Sequence, residues 1–251
     1  MDLKLNNKVA LITGASRGIG LSIAEALYNE GCLLAMNSRS VQNMLKAKKK
    51  FFGSVEIPGD VTKEKEAGKI VSAAIKVFGK IDILICNVGS GLSVPPGREN
   101  LSEWLKMFSI NFLSATNMIE ASKKHLSTTG GAIVCISSIC GQEVIPNAPI
   151  TYSIAKAALN AYIKAISRPF GKINIRINGI APGNIMFPRS TWDLKLKKNP
   201  KNVKRLISKE VPLNKFGTPE NVADLTAWLC STRASFVTGK IYGIDGGQVR
   251  S

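Results

Sequence analysis

Tyr152 and Lys156 stand four residues apart in the stretch Tyr152-Ser153-Ile154-Ala155-Lys156. On a helix this spacing puts both side chains on one face, about one turn apart. An ammonium beside a phenol favours the phenolate, so the pair predicts a phenol whose pKa falls from about 10 towards neutrality. Such a group can pass a proton to or from a substrate oxygen at physiological pH. Alone the pair says little, because Tyr-x-x-x-Lys also describes an ordinary solvated helix face. Its company says more: Ser137 and Ser138 close an apolar, strand-like run just upstream, and a glycine-rich turn opens the chain.

That turn follows a short apolar strand over 8–13 and precedes an amphipathic helix over 21–30. Strand, glycine turn and helix make a phosphate-binding arrangement. Glycine lets the backbone approach a pyrophosphate, and the helix N-terminus offers unpaired N–H groups with a partial positive charge. Gly14, Ser16, Arg17, Gly18, Ile19 and Gly20 are therefore expected to hold a dinucleotide. A second strand over 32–36 ends at Asn37-Ser38-Arg39-Ser40. An acid at that point would bind an adenosine ribose, whereas a base accommodates a 2′-phosphate. No acid is present, so Ser38 and Arg39, with Arg17 as a second cation, point to NADP(H), with NAD(H) as the lesser choice. After a third strand over 55–58 come Asp60, Val61 and Thr62. Asp60 is expected to accept a hydrogen bond from the adenine amino group, and Thr62 to cap a helix over 63–78.

Further strands over 81–86, 132–136, 173–178 and 240–244 end at Asn87-Val88-Gly89, Ser137-Ser138, Ala181-Pro182-Gly183 and Asp245-Gly246-Gly247. Helices are expected over 101–126, carrying Asn111, over 151–167, carrying Tyr152 and Lys156, and over 219–230, with Pro219 in its first turn. The alternation predicts an α/β fold, a Rossmann-type doubly wound parallel sheet with helices on both faces. Ligands of such sheets bind outside the carboxyl ends of the strands, where each group named above falls.

Composition sets the outer limits. The 251 residues suffice for one large core, and neither a linker nor a repeat divides them. One domain over 1–251 is expected: a dinucleotide-binding half to about 140, then a half that carries the Tyr152 helix and a basic stretch at about 188–210. The first eight residues lack the apolar core of a signal peptide, and no apolar run is long enough to span a bilayer. A cytoplasmic protein without a membrane span is expected. Cys32, Cys86, Cys135, Cys140 and Cys230 are odd in number and form no Cys-x-x-Cys, which predicts buried free thiols. His125 is the only histidine, which argues against a histidine triad or a multi-histidine metal site, and no metal is expected. Net charge is +17, with Lys46, Lys48, Lys49 and Lys50 in one cluster and Lys195, Lys197, Lys198, Lys201, Lys204 and Arg205 in another. No interleaved aromatics accompany them, so no nucleic-acid partner is expected; a basic surface or attraction of a polyanionic cofactor or substrate explains the charge.

Thr13-Gly14-x-x-x-Gly18-x-Gly20, Asp60, Asn87-x-Gly89, Asn111, Ser138, Tyr152-x-x-x-Lys156, Pro182-Gly183 and Asp245-Gly246-Gly247 occur here in one order. The chain in this respect resembles the short-chain dehydrogenase/reductase family, from about Lys8 to Gly247, and within it the 3-oxoacyl-carrier-protein reductases. The resemblance implies an NADP(H)-dependent interconversion of a carbonyl and a secondary alcohol. Tyr152 would be the general acid or base, and Lys156 would lower its pKa and bind the nicotinamide ribose. Ser138, which matches the family's Ser-x-x-Gly turn through Gly141, would hold the substrate oxygen. Asn111 would order a water chain to Lys156, Asn87 and Gly89 would line the adenosine ribose, and Ile185, after Pro182-Gly183, would reach the carboxamide through its backbone. A homotetramer or homodimer is implied, built on the helices bearing Asn111 and Tyr152 and on the C-terminal strand.

Two motifs depart from the family pattern. Asn-Asn-Ala-Gly is Cys86-Asn87-Val88-Gly89, and the threonine of Pro-Gly-x-x-x-Thr is Phe187. Pro169 is expected to end the catalytic helix early. The basic, tryptophan-bearing stretch 189–210 occupies the family's lid position, either as a solvated helix or as a surface for an anionic substrate. Candidate substrates are an acyl group on an acidic carrier, or a sugar or nucleotide-sugar of surface glycan biosynthesis. The rival from another class is a non-catalytic nucleotide-binding member of the family.

Overall fold

A computed structural model describes residues 1–40, 42 and 50–250; of the first lysine cluster, Lys46, Lys48 and Lys49 lie outside the described residues. The chain opens with β1 (Val9–Thr13), α1 (Gly18–Asn29), β2 (Leu33–Ser38), β3 (Val55–Pro58) and α2 (Glu64–Phe78). Next come β4 (Ile83–Cys86), α3 (Leu101–Phe108), a π-helical turn (Ser109–Leu113) and α4 (Ser114–Thr129). β5 (Ala132–Ile136), a 3₁₀ turn (Ile139–Gly141), α5 (Ile150–Gly171) and β6 (Arg176–Pro182) carry the chain across the sheet. It closes with α6 (Thr191–Lys198), α7 (Pro200–Glu210), α8 (Pro219–Cys230) and β7 (Ile241–Ile244).

The strands form one parallel sheet in the order β3-β2-β1-β4-β5-β6-β7. From β1 the chain winds one way to β3, then returns to β4 beside β1 and winds the other way to β7. This is the doubly wound Rossmann-type sheet that the alternation predicted. The reversal lies between β1 and β4, so the turns after Thr13 and Cys86 flank one crevice. Every residue of β1, β4 and β5 is buried, as uncharged apolar runs require of strands covered on both faces. Alternate residues point to opposite layers. Ala10 and Ile12 pack with Ile23 and Leu27 of α1 and Val222 and Ala227 of α8. Leu11 packs in the opposite layer with Ile70 of α2, Met118 of α4 and Leu159 and Ile163 of α5. Each of the larger side chains among these, the isoleucines, leucines, valine and methionine, contributes about 1.5–3 kcal/mol by leaving water.

Several expected boundaries move, each for a local reason. The helix expected over 101–126 is interrupted by the π-helical turn, and Asn111 sits in that turn. Pro169 does not end α5, which runs on to Gly171. Placed in the last turn, its ring forfeits one backbone bond at an end that already leaves carbonyls unpaired. β6 starts at Arg176 because Ile173 and Asn174 are spent in a turn, their N–H groups donating to Phe170 and Gly171. Thr62 does not cap α2: its hydroxyl donates to Asp60 Oδ1 at 2.8 Å, and Lys63 holds the cap position. All five cysteines are free, four of them buried and Cys140 partly exposed. No helix among the described residues is long and apolar enough to cross a membrane.

Candidate active site

The glycine turn is shaped by Asn87. Its amide nitrogen donates to the carbonyls of Thr13 at 3.0 Å and Gly14 at 3.2 Å, which ties the end of β4 to the end of β1. A side chain on Gly20 would start 2.4 Å from Gly14 O and 2.5 Å from Asn87 Nδ2, so only glycine fits there. α1 then begins with no side-chain cap at Arg17 and no acid in its first turn. Its leading N–H groups are thus open to an anion, which is the fit that a dinucleotide pyrophosphate requires. Ser16 and Ser38 hydroxyls lie 3.1 Å apart beside it, and Ser38 Oγ also accepts from Ser40 N at 3.3 Å. Arg17 and Arg39 are exposed at the same edge.

Other expected contacts are brought to this end with parts already engaged. Asp60 Oδ1 accepts from both N and Oγ1 of Thr62. Burial raises the Asp60 carboxyl, but those bonds and the charges of Arg39 and Lys63 outweigh it and hold the group below the usual range. Val61 is buried, and its carbonyl accepts from Asn117. Ile19 lines the first turn of α1. Pro182 ends β6, and Gly183 packs on Asp245, whose Cα would lie 2.9 Å from a side chain there. Ile185 forms a bridge to Gly217 through its neighbours: Gly217 N donates to Asn184 O and Met186 N to Gly217 O. That parallel geometry turns Ile185's own N–H and C=O the other way.

The groups expected to handle a proton meet one strand over. Ser138 follows β5 in extended backbone, and its Oγ accepts from Cys140 N at 3.2 Å. The following 3₁₀ turn lies flat on α5: a side chain on Gly141 would start 2.6 Å from the Lys156 carbonyl carbon. Glycine at that place therefore lets the Ser138 turn touch the Tyr152 helix. Asn160 completes the clamp, donating to Gly141 O at 3.0 Å while its Oδ1 accepts from Ser137 Oγ at 2.6 Å. Ser137 is thereby tied inward, and Ser138 faces Tyr152. On the other side, Asn111 donates both amide protons, to Ser90 O at 3.0 Å and Met107 O at 3.1 Å, and accepts from Ser90 N at 2.9 Å. It fixes the loop after β4. A methyl built on Gly89 would sit 3.1 Å from both Asn111 Oδ1 and Lys156 Nζ, so these three groups surround one point.

The electrostatics differ from the simple pairing of phenol and ammonium. Lys156 is 2% exposed and donates to Ile136 O at 2.8 Å. Burial lowers its ammonium to about 8. Burial likewise pushes the Tyr152 phenol up to about 12, opposed by the Ser138 hydroxyl and assisted by the Cys140 thiol. Lys156 is not among the groups that shift the phenol here; burial sets its direction. At neutral pH Tyr152 is therefore a protonated acid. Among the described residues no cluster of His, Cys, Asp and Glu could hold a metal ion.

Comparison with known proteins decides the family. The family profile described as Enoyl-(Acyl carrier protein) reductase matches residues 14–248. Glucose 1-dehydrogenase 2 of Bacillus subtilis is 30% identical over 97% of this chain and 95% of its own length. The chain belongs to the short-chain dehydrogenase/reductase family. The 3-oxoacyl-[acyl-carrier-protein] reductase FabG of Thermotoga maritima is a further relative, 29% identical over 98% of this chain and 100% of its own. The crystal structure of L-sorbose reductase from Gluconobacter frateurii, complexed with NADPH and L-sorbose, superposes with a TM-score of 0.92 at 30% identity, covering 100% of both chains. This short-chain dehydrogenase/reductase is accordingly an oxidoreductase of alcohol and carbonyl groups.

In this short-chain dehydrogenase/reductase, Thr13 and Phe187 were named in the sequence motifs without a positioning role, and Asn160 was not singled out. Thr13 Oγ1 accepts from Asn87 N at 2.9 Å and donates to Ile85 O at 3.1 Å. Asn160 lies one helical turn beyond Lys156, on the same face, and that i+4 spacing was the available signal. Phe187, in the place of the family's threonine, lays its ring against Gly18, within 2.5 Å of where a side chain would begin. The stretch 189–210 folds as two helices, α6 and α7, of which α7 buries Val203 and Ile207.

Proposed function

We propose that the protein is an NADP(H)-dependent carbonyl reductase and secondary-alcohol dehydrogenase working through Ser138, Tyr152 and Lys156. The observation that carries this reading is the convergence of Ser138, Tyr152 and Lys156 at the carboxyl end of the sheet, beside the uncapped start of α1. A nicotinamide held there supplies the hydride in reduction and accepts it in oxidation. Ser138 donates a hydrogen bond to the substrate oxygen and orients it. Tyr152 gives that oxygen its proton as negative charge develops there. A phenol raised by burial suits this direction, since it is fully protonated at pH 7 and a developing alkoxide is the stronger base. Lys156 holds the end of β5 through Ile136 O and places a buried positive charge near Gly89, where anionic character is favoured.

For the cofactor, Arg17, Ser38 and Arg39 with no acid at the end of β2 favour a 2′-phosphate, hence NADP(H). The chain reads as one unit, with its nucleotide half to about 140 and the lid at about 188–210. Self-association is supported by a row of rings at 5.9–6.3 Å spacing, Trp104, Phe108, Phe112 and Tyr162, flanked by Leu101 and Leu105, which are 73% and 64% exposed. Such a patch on α3 and α5 fits a homodimer or homotetramer face. The likeness to FabG makes a 3-oxoacyl thioester one substrate to try, and a keto sugar the other.

Titration with NADPH and NADH in parallel, followed by nicotinamide fluorescence, tests the cofactor reading. Tighter NADPH binding is expected. Oxidation of the bound cofactor by a panel of acyl thioesters and keto sugars tests the reaction. Binding without turnover across a broad carbonyl panel would favour a non-catalytic member of the family.

A further inference from the structure

Resting on that reading of the site, we propose that Lys195 of the lid is a substrate-recognition cation. It selects carbonyl compounds bearing a carboxylate or phosphate at a distance from the reacting carbonyl. The lid leaves the sheet at the carboxyl end of β6, and β6 pairs with β5 through Ile180 and Ile136, so α6 starts next to the strand that delivers Ser138. Its base is fixed rather than free. Asn184 and Met186 are bonded to Gly217, Phe187 lies on Gly18, and the Trp192 ring packs on Phe216 at 5.7 Å. Lys195 Nζ sits 4.8 Å from the centre of the Trp192 ring. A cation held over an indole face keeps its charge while losing some of its freedom.

The neighbouring lysine behaves differently. Lys197 Nζ is taken by Asp193 Oδ2 at 2.9 Å, one turn back on the same helix. Among the described residues no carboxylate lies within ion-pair distance of Lys195. The positive charge of Lys195 is felt by the thiol of Cys140, which burial pushes up and Lys195 pulls down. Cys140 in turn abuts Ser138, so the charge of Lys195 reaches the site's side of the lid. An ammonium is a compact point charge, suited to an anionic group of either geometry, whereas a neutral ketone gives it no partner.

Equilibrium binding tests this without requiring turnover, because no hydride can pass between a ketone and an oxidised nicotinamide. The full chain, saturated with whichever oxidised cofactor it binds, is titrated calorimetrically with matched probes. Short oxo acids of increasing chain length are set against their methyl esters, and dihydroxyacetone phosphate against dihydroxyacetone. At least one anionic probe is expected to bind about fivefold more tightly than its neutral mate, the size of a modest ion pair. The better pair tells carboxylate from phosphate. Lys195→Gln is expected to remove the discrimination while leaving the neutral probe unchanged, Lys195→Arg to keep it, and Lys197→Gln to have no effect. Absence of discrimination in the wild type, its survival in Lys195→Gln, or an equal loss in Lys197→Gln would overturn the assignment. Cofactor oxidation with the same probes reports separately on the reaction: Lys195-dependent binding without turnover sustains the cation site and removes the reductase reading.

Discussion

The two ends of the sheet treat buried charge in opposite ways. At the amino end, the Asp82 carboxylate is 6% exposed and accepts from Val9 N at 2.9 Å, Lys8 Nζ at 3.2 Å and Lys80 Nζ at 3.0 Å. Burial raises its pKa, yet these partners hold it below the usual range. Nearby, Arg176 donates to the carbonyls of Leu229 at 2.8 Å and Ser231 at 3.2 Å and so closes the end of α8. At the carboxyl end, Lys156 is more deeply buried than Asp82 but is bonded to one carbonyl, and its pKa falls to about 8. The Tyr152 phenol rises to about 12, and α1 starts uncapped. Fully partnered charges fasten strands together. Incompletely partnered ones keep electrostatic free energy available to a ligand, at a cost to stability.

The contrast can be broken or sharpened by substitution. The largest effect belongs to Tyr152→Phe, which removes the acid and leaves the packing. Its kcat/KM is expected to fall by about a thousandfold with an unchanged melting temperature. Activity retained within tenfold would take the proton-transfer role from Tyr152.

Lys156→Met is expected to lower kcat/KM by about a hundredfold and to raise the melting temperature at pH 7, since the buried ammonium goes with it. The sign follows from linkage. The lysine's folded value of about 8 lies below the ordinary 10.5, so between those values the unfolded chain binds the extra proton. Wild-type stability therefore gains a rise with pH across that interval, and Lys156→Met lacks it. Denaturation measured from pH 7 to 10.5 reads the difference; a variant less stable than wild type at pH 7 would show Lys156 to be adequately solvated and would erase the contrast.

Asp82→Ala, at the other end, is expected to lose about 2 kcal/mol of stability with activity per folded molecule intact. The lysines it leaves behind are half exposed and rehydrate, which limits the loss. In the wild type this contribution is present above the ordinary aspartate value of 3.8 and is lost as acidification reaches the lower folded value. Chemical denaturation at neutral and acid pH checks both statements. The smallest change is Arg39→Ala, for which NADPH binding should weaken about tenfold, with NADH binding unmoved. Equal weakening of both cofactors would assign Arg39 to the fold or to general charge rather than to a 2′-phosphate.

Much of the fold was legible because its signals are local. Charge-free runs such as Val9–Thr13 are buried on both faces, and glycine and proline mark the turns between elements. Boundaries were misplaced where a local rule met a helix end: Pro169 is tolerated in the last turn of α5, and Thr62 turns its hydroxyl to Asp60 instead of to α2. The residue types of the site could also be read from spacing. Tyr152 and Lys156 share a helix face by the geometry of any α-helix, and Ser138 follows a strand whose end must lie at the ligand-binding edge.

What the sequence determined by itself was therefore the sheet, its winding, and which residue types reach its carboxyl edge. These follow from hydrophobic periodicity and from glycine and proline stereochemistry, which act over a few residues. Only the tertiary structure decided the sign of the Tyr152 shift, the engagement of both Asn111 amide protons, the closeness of the Gly141 turn to α5, and the seat of Lys195 over Trp192. Desolvation and charge–charge interaction depend on what surrounds a group in three dimensions, and segments far apart in the chain supply those surroundings.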